Sequence, residues 1–490
     1  MGTKKSILLL VVLIGLSFSV LAQDNKWDLK KCVEYAMNNA IPVKQSTIQS
    51  KFAELNYLQS KRGKEPNVNF SNNTGYNFGR SIDPSTNQFT NTQLIFQQYN
   101  LNANVTIFNW NSIKNNILAS KYELDASKAD LNKARNDIAL TVATNFLQTL
   151  LAKEQANITT VQVGQTMAQL GVTRRKVTAG SLPELNALEL EAQLARDSSA
   201  LIAAQTNAEL NLLQLKSSMN MDAALPFDIY VPFVDKIPVI SLAELQPDVV
   251  YASAMQTQPA QKANEIRLKS LNAALKSARA TRNPTISGFG GLTTIFSGSN
   301  QEFRGVTFNG YNSPNPANGA VNVNGVLTPV QSPDVTIIIG KKSFYQQWTG
   351  WGTQLDRNFR QNIGLAVNVP LFNGGQVRNS IARAKLNLEN LAVTKEQADN
   401  KLKQDIYQAY QAATAALQKF NANKRTVDVA QRTYDLTVKR YELGLLTTLD
   451  LITNQNNLLK AKMDLVNSQY DYIFKMKILE FYKGNGIVLE

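Results

Sequence analysis

From residue 99 to residue 108 apolar and polar side chains alternate almost without error. Tyr99, Leu101, Ala103, Val105 and Ile107 stand on one parity, and Asn100, Asn102, Asn104 and Thr106 on the other. A period of two predicts a strand with one apolar and one polar face. The pattern returns at residues 362–371, where Ile363, Leu365, Val367, Val369 and Leu371 oppose Asn362, Gly364, Ala366 and Asn368. Val68, Phe70, Tyr76 and Phe78, and then Ile286, Leu292 and Phe296, predict two weaker strands diluted by Gly and Asn. Each strand is about ten residues, which is what a tilted strand needs to cross a bilayer. Soluble sandwiches use the same alternation, so the pattern alone leaves membrane insertion open.

Between the strands the period changes. Ser112 to Val177 contains no proline, and Leu124, Leu131 and Ile138 step by seven before Val142, Phe146 and Leu150 step by four. That is the periodicity of helix–helix packing. About 65 residues rising about 1.5 Å each predict a rod of roughly 100 Å. Gln376 to Glu442 is equally free of proline, and each rod is expected to turn at a glycine into a returning helix, near residues 184–219 and 447–482. Asp28 is expected to cap a shorter helix running to about Arg62, and Ser241-Leu-Ala-Glu244 to form a capping box that opens its counterpart. Pro66 and Pro284 close these helices. Narrow apolar stripes and faces rich in Asn, Gln, Thr, Lys and Ala suit rods wetted on more than one side, as in a tube.

The chain is written twice. Val105-Thr-Ile-Phe-Asn109 reappears as Val369-Pro-Leu-Phe-Asn373, an offset of 264 (372 − 108). The same offset carries Ile138 to Leu402, Val142 to Ile406, Phe146 to Tyr410, Gly180 to Gly444 and Leu188 to Ile452. At the start of each half the offset is 218, relating Ala36-Met37 to Ala254-Met255 and Pro66 to Pro284. The difference of 46 (264 − 218) places an insertion rich in Gly, Asn and Pro at about residues 297–357. A long repeat takes precedence over any domain count from length. The expected organisation is a signal peptide at 1–22, a first repeat at 23–240, and a second repeat at 241–490 carrying the insertion.

Composition narrows the class. Lys4-Lys5, the apolar run Ile7 to Leu21 and Ala22-Gln23 read as an export signal with its cleavage site. With 43% hydrophobic residues and a mean hydropathy of −0.23, no apolar span is left for a transmembrane helix. Any span must then be made of strands closed into a barrel. One cysteine, Cys32, and no histidine exclude disulfides, Cys/His zinc sites and Ser-His or Cys-His nucleophile pairs. Cys32 lacks the small preceding residues of a lipid-anchor site and reads as a small residue on a helix face. The net charge of +14, or +12 without Lys4 and Lys5, is scattered along helices without interleaved aromatics, which does not fit nucleic acid. No cofactor is implied.

Several segments together resemble the TolC family of outer-membrane efflux proteins. They are Ala36-Met-Asn-Asn-Ala-Ile-Pro42, Pro66 before a strand, Phe108-Asn109, Phe372-Asn-Gly-Gly375, and Arg440-Tyr-Glu-Leu-Gly444 followed by Leu449-Asp-Leu-Ile452. The resemblance spans nearly all of the mature chain. It implies a mixed α and β fold in which three protomers each give four strands to a twelve-stranded outer-membrane β-barrel. Long antiparallel helical hairpins would continue that barrel as a periplasmic α-barrel. It also implies a passive duct that performs no chemistry and works with a periplasmic adaptor and an inner-membrane pump.

On that resemblance Ala179, Gly180 and Ser181, with Leu443, Gly444 and Leu445, are the adaptor-docking tip, although glycine at a helix end needs no partner to explain it. Asp450 stands where the family has an acidic residue at the tunnel's narrowest point, although Thr447-Thr-Leu-Asp450 also reads as a capping box. The family's second acidic position falls on Thr453, the first-half match of Asp450 is Asn186, and a latch arginine falls on Leu446, which leaves a Tyr441 hydroxyl to Asn186 amide bond as the expected link. Efflux duct, exit duct of a one-step protein secretion system, and periplasmic coiled-coil scaffold all remain open. The insertion is expected to be an extracellular loop that acts as a surface plug or lid.

Overall fold

The structure, a computed structural model, describes residues 26–82, 87, 89, 90, 93–231, 240–315, 317 and 319–485, so the expected signal peptide lies outside it. The first half runs α1 (Leu29–Asn39), α2 (Ile41–Arg62), β1 (Asn67–Asn77), β2 (Leu94–Phe108), α3 (Ser112–Thr178) and α4 (Glu184–Ser218). The second runs α5 (Pro247–Thr257), α6 (Pro259–Ala280) and β3 (Thr285–Ser299). After β4 (Gln301–Tyr311), β5 (Pro333–Lys341), α7 (Phe344–Gln347) and α8 (Trp351–Arg357), it resumes with β6 (Arg360–Asn368), α9 (Gln376–Glu442) and α10 (Thr448–Lys483). Element lengths repeat: α1 and α5 have 11 residues each, α2 and α6 have 22, and α3 and α9 have 67.

Four expectations need correction. The single helix expected from Asp28 to Arg62 is broken at Ala40, whose ψ of 138° is extended. In an unbroken helix the Pro42 ring would press on the Asn38 carbonyl and its missing N–H would cost a bond. Asp28 does cap α1, accepting from the Lys31 N–H at 2.8 Å. Ser241 caps only a single 3₁₀ turn, Leu242–Leu245, through the Ala243 N–H, and α5 starts afterwards with Pro247 in its first turn. The last strand ends at Asn368, leaving Val369 and Leu371 outside it, because Pro370 has no N–H for a ladder. The insertion is no loose loop: β3 runs into it as far as Ser299, and β4 and β5 pair antiparallel within it.

The chain divides into two compact units that cut across the repeats, each half giving helices to one and strands to the other. The strand unit, Gln59–Asn116 with Lys276–Ile381, holds an antiparallel sheet in the order β6-β3-β2-β1. Paired residues share a face, so register decides what each face carries. Phe70 opposes Leu101 and Leu101 opposes Leu292, while Ile363 opposes Gly290. On the other face Asn69 opposes Asn102, which opposes Gly291, which opposes Asn362. One face is therefore apolar and open, with Ile363 93% exposed, and the other is lined by asparagine.

The helical unit is built of Met1–Leu58, Ile117–Leu275 and Ala382–Glu490, as far as they are described. In one core, α1 sets Leu29, Cys32 and Ala36 against Ile138, Val142, Phe146 and Leu150 of α3, the positions that step by four. Burial pushes the Cys32 thiol up to about 12, so it behaves as a small apolar residue. A second core places Val250 and Ala254 of α5 against Ile406 and Ala413 of α9 and Met476 and Leu479 of α10. Val142 and Ile406, equivalent in the repeat, are both fully buried.

Candidate gate and docking tip

The two glycine turns are built alike, atom for atom. After α3 the Gly180 N–H donates to the Val177 carbonyl at 2.9 Å and the Ser181 N–H to the Lys176 carbonyl at 2.9 Å. After α9 the Gly444 N–H donates to the Tyr441 carbonyl at 3.0 Å and the Leu445 N–H to the Arg440 carbonyl at 2.9 Å. This paired closure satisfies the last free carbonyls of a helix and requires a left-handed residue. Gly180 has φ +74° and Gly444 φ +75°. The Lys176 ammonium donates to the Glu442 carbonyl at 3.3 Å and links the two turns. Ala179, Gly180, Ser181, Leu443, Gly444 and Leu445 are all exposed, Leu443 by 75%.

The returning helices start differently. The N-cap of α4 is Pro183, which offers no side-chain bond. The N-cap of α10 is Thr447 in a complete capping box: the Asp450 N–H donates to Thr447 Oγ1 at 3.1 Å, and the Thr447 N–H donates to Asp450 Oδ2 at 3.1 Å. The Thr447 hydroxyl adds a 2.6 Å bond to the same carboxylate oxygen. These bonds, hydroxyl first, hold the Asp450 carboxyl below the usual carboxylate range. Asp450 and Thr453 are both exposed, three residues apart on one side of α10. Thr453 donates to the Leu449 carbonyl at 2.8 Å.

Tyr441 does not make the link expected of it. It is buried, and its hydroxyl lies 3.3 Å from Thr173 Oγ1 and 3.4 Å from Thr448 Oγ1. Asn186 is half-buried on α4 and is not a partner of that hydroxyl. The reason is local: Tyr441 closes the last turn of α9 and faces α3, where Thr173 supplies the nearer oxygen. Of the four expected gate residues, Asp450 and Thr453 share a surface and Tyr441 is an internal strut.

A buried polar layer behind the tip was not anticipated. Thr166 of α3 donates to Asp197 Oδ2 of α4 at 2.6 Å, and Gln193 Nε2 donates to Asp197 Oδ1 at 2.7 Å. Gln455 of α10 donates to Thr166 Oγ1 at 2.8 Å, so three helices meet in one network. Leu170, Ala187, Leu190 and Ile452 pack beside it. The readable signal was the spacing Leu190, Gln193, Asp197, which places an amide and a carboxylate on the apolar stripe of α4.

A family model described as outer membrane efflux protein matches residues 45–221 and 342–481. The outer membrane efflux protein BepC of Brucella suis biovar 1 (strain 1330) is 21% identical over 444 residues, 89% of this chain and 81% of BepC. The outer membrane protein TolC of Escherichia coli (strain K12) is 30% identical over 124 residues, a stretch that is 25% of each chain. Among solved structures, CusC superposes with a TM-score of 0.70 at 16% identity and covers 95% of each chain. This last likeness is one of fold.

Proposed function

The chain belongs to the outer membrane efflux protein family, and from that premise we propose that three copies form the outer-membrane duct of a tripartite efflux system. The observation that carries the proposal is incomplete coverage. Among the described residues the four-stranded sheet leaves β1 and β6 each with a bare edge of N–H and C=O groups that lipid cannot satisfy. Side chains of the second rod are equally uncovered: Leu386, Val393, Val429 and Leu436 of α9 are each more than 60% exposed. Other copies of the chain would meet both needs at once, closing strands into a barrel and helices into a tube.

In this reading the asparagine face lines the wet lumen and the apolar face meets lipid. The glycine turns, with Leu443 and Leu445 outward, form the tip that a periplasmic adaptor grips. Asp450, with Thr453 beside it, forms the narrowest ring, and Asp450 is both helix cap and gate. The β4–β5 hairpin, beyond the end of β3, acts as a surface lid. Transport is passive, with energy supplied by the inner-membrane pump. Native mass measurement in detergent should give three chains, and bilayer recording should give discrete conductance steps. A folded, stable monomer without conductance refutes the duct.

A further inference from the structure

The insertion ends in a feature that a duct does not require. Residues 343–358, containing α7 and α8, form a strap laid on the sheet near the end of β3. Trp348 stacks on Phe296 with ring centroids 5.2 Å apart. The Thr294 hydroxyl donates to the Leu355 carbonyl at 2.6 Å, and the Trp351 indole N–H donates to Gln97 Oε1 at 2.7 Å. Phe296, Thr294 and Gln97 stand on the parity of Leu292 and Leu101. The strap therefore lies on the apolar face and leaves the asparagine face clear.

The strap is also built into the sheet. β6 begins at Arg360, opposite Thr293, so β3 continues past it with an unpaired edge. The Gln354 side chain fills that gap, donating from Nε2 to the Ser297 carbonyl at 3.0 Å and accepting the Ser297 N–H on Oε1 at 3.0 Å. Asn358 Nδ2 donates to the Ile295 carbonyl at 2.7 Å. A side chain at Gly298 would collide with the Gln347 carbonyl, so the fit is close.

The outward side of the strap does not suit water. Tyr345 is 86% exposed, Phe344 54% and Trp351 41%. Residues 341–359 carry three cations, Lys341, Lys342 and Arg357, against one carboxylate, Asp356. None of these cations is in an ion pair among the described residues. Exposed aromatic rings beside unpaired cations, continuous with an apolar sheet face, make the composition of a bilayer boundary. Rings settle at the headgroup level and cations meet phosphate.

We infer that the strap is a lipid collar. Phe344, Tyr345 and Trp351 lie against acyl chains while Lys341, Lys342 and Arg357 hold the phosphate of a phosphate-bearing lipid in the outer leaflet. The inference rests on reading the sheet as part of a membrane barrel. A free phosphate would use the cations alone and leave the rings in water, which is why the lipid is the occupant.

The test uses full-length protein in detergent, titrated with lipid A, with dephosphorylated lipid A and with inorganic phosphate, bound molecules being counted by native mass spectrometry. K341Q/K342Q/R357Q is compared with wild type, and both are recorded in phosphatidylcholine bilayers. Wild type should retain lipid A at about tenfold lower concentration than the dephosphorylated form, a preference that the triple variant loses while conducting normally. Phe344→Ser with Tyr345→Ser should weaken retention of both lipids alike. Equal retention of the two lipids, an unaffected triple variant, or displacement of lipid A by inorganic phosphate would each overturn the collar and leave the duct standing. Wild type that never conducts in bilayers would overturn the barrel reading on which the collar rests.

Discussion

α3 and α9 hold equivalent places in the two halves and are equal at 67 residues, yet they are covered very differently. α3 buries 18 of its residues and α9 only five. Both carry helix-packing periodicity, so the difference lies in what is present to pack against. α3 is enclosed by α1, α4 and α10 of its own chain, whereas on α9 the pairs Leu386 with Val393 and Val429 with Leu436 each step by seven and stay more than 60% exposed. A seven-residue step of apolar side chains is the seam of a helix–helix interface. The two halves supply two rods of equal length, and the chain completes the surroundings of only one.

The sharpest way to break that comparison is to charge the bare seam. Val429→Glu with Leu436→Glu removes two side chains, each worth roughly 1.5–3 kcal/mol when fully buried, and adds carboxylates that an interface cannot solvate. Trimers should be lost while circular dichroism still reports a helical protomer. If native mass still gives three chains, the seam is solvated and the inequality of the rods has no bearing on assembly.

The turns that end the two rods are the next point of attack, since they are equal in geometry but lead into helices that start differently. A Cβ at Gly180 or at Gly444 would meet nothing within 4 Å, so only the positive φ opposes substitution. A β-branched residue forced there costs about 1–3 kcal/mol. Gly444→Val and Gly180→Val should both abolish efflux while trimers still reach the outer membrane, with Gly→Ala milder at each. Full efflux by Gly444→Val would remove the turn from the docking tip.

Much of the fold is legible in the sequence, and what is not legible has physical causes. The β2 pattern was legible because Asn100, Asn102 and Asn104 leave one parity wholly polar. The glycine turns were legible because a helix end followed by Gly announces a left-handed cap. The β4–β5 hairpin carries Phe303, Val306 and Phe308 against Ile339, Ile337 and Val335, but register shifts at Asp334/Val335 and Ile338/Ile339 break its parity, so it read as a loop. Pro42 and Pro259 announce the breaks at Ala40 and Gln258, but the apolar period continues across them and by itself predicts one long helix in each half. The tip network escaped because Gln193 and Asp197 look like ordinary surface residues until Thr166 and Gln455 arrive from distant sequence. The contact of Tyr441 with Thr173 is not legible in the sequence, because a contact across two helices depends on rotation that no spacing encodes.

Asp450 separates charge from capping, and the first half provides the contrast, since Asn186 stands there and α4 starts from Pro183 with no side-chain cap. Asp450→Asn should reduce cation preference in single-channel recording with the trimer intact. The bonds from Thr447 lower the carboxyl's pKa, so they keep Asp450 ionised as pH falls, while in the proposed trimer the crowding of three carboxylates in a ring would act in the opposite direction. Cation preference should weaken on acidification. Thr447→Ala, which removes the hydroxyl donor, should move that loss to higher pH without abolishing selectivity at neutral pH. Selectivity unchanged by Asp450→Asn would leave the residue as a helix cap alone.

The smallest effect decides where the two halves are joined behind the gate. Tyr441 belongs to the second rod, Thr173 to the first, and their oxygens lie 3.3 Å apart in a buried site. The contact is long for a hydroxyl pair, and the Thr448 oxygen at 3.4 Å is no closer, so neither bond is strong. Tyr441→Phe keeps the ring packing and removes only the hydroxyl, which should cost about 0.5–1.5 kcal/mol in unfolding of the purified protein. A double-mutant cycle then assigns the loss. Tyr441→Phe with Thr173→Val should show a coupling of roughly 0.5 kcal/mol, whereas Tyr441→Phe with Asn186→Ala should be additive, because Asn186 does not reach the hydroxyl. Coupling to Asn186 instead would mean that the working gate is closed by a Tyr441–Asn186 latch, with the Tyr441 ring turned away from α3.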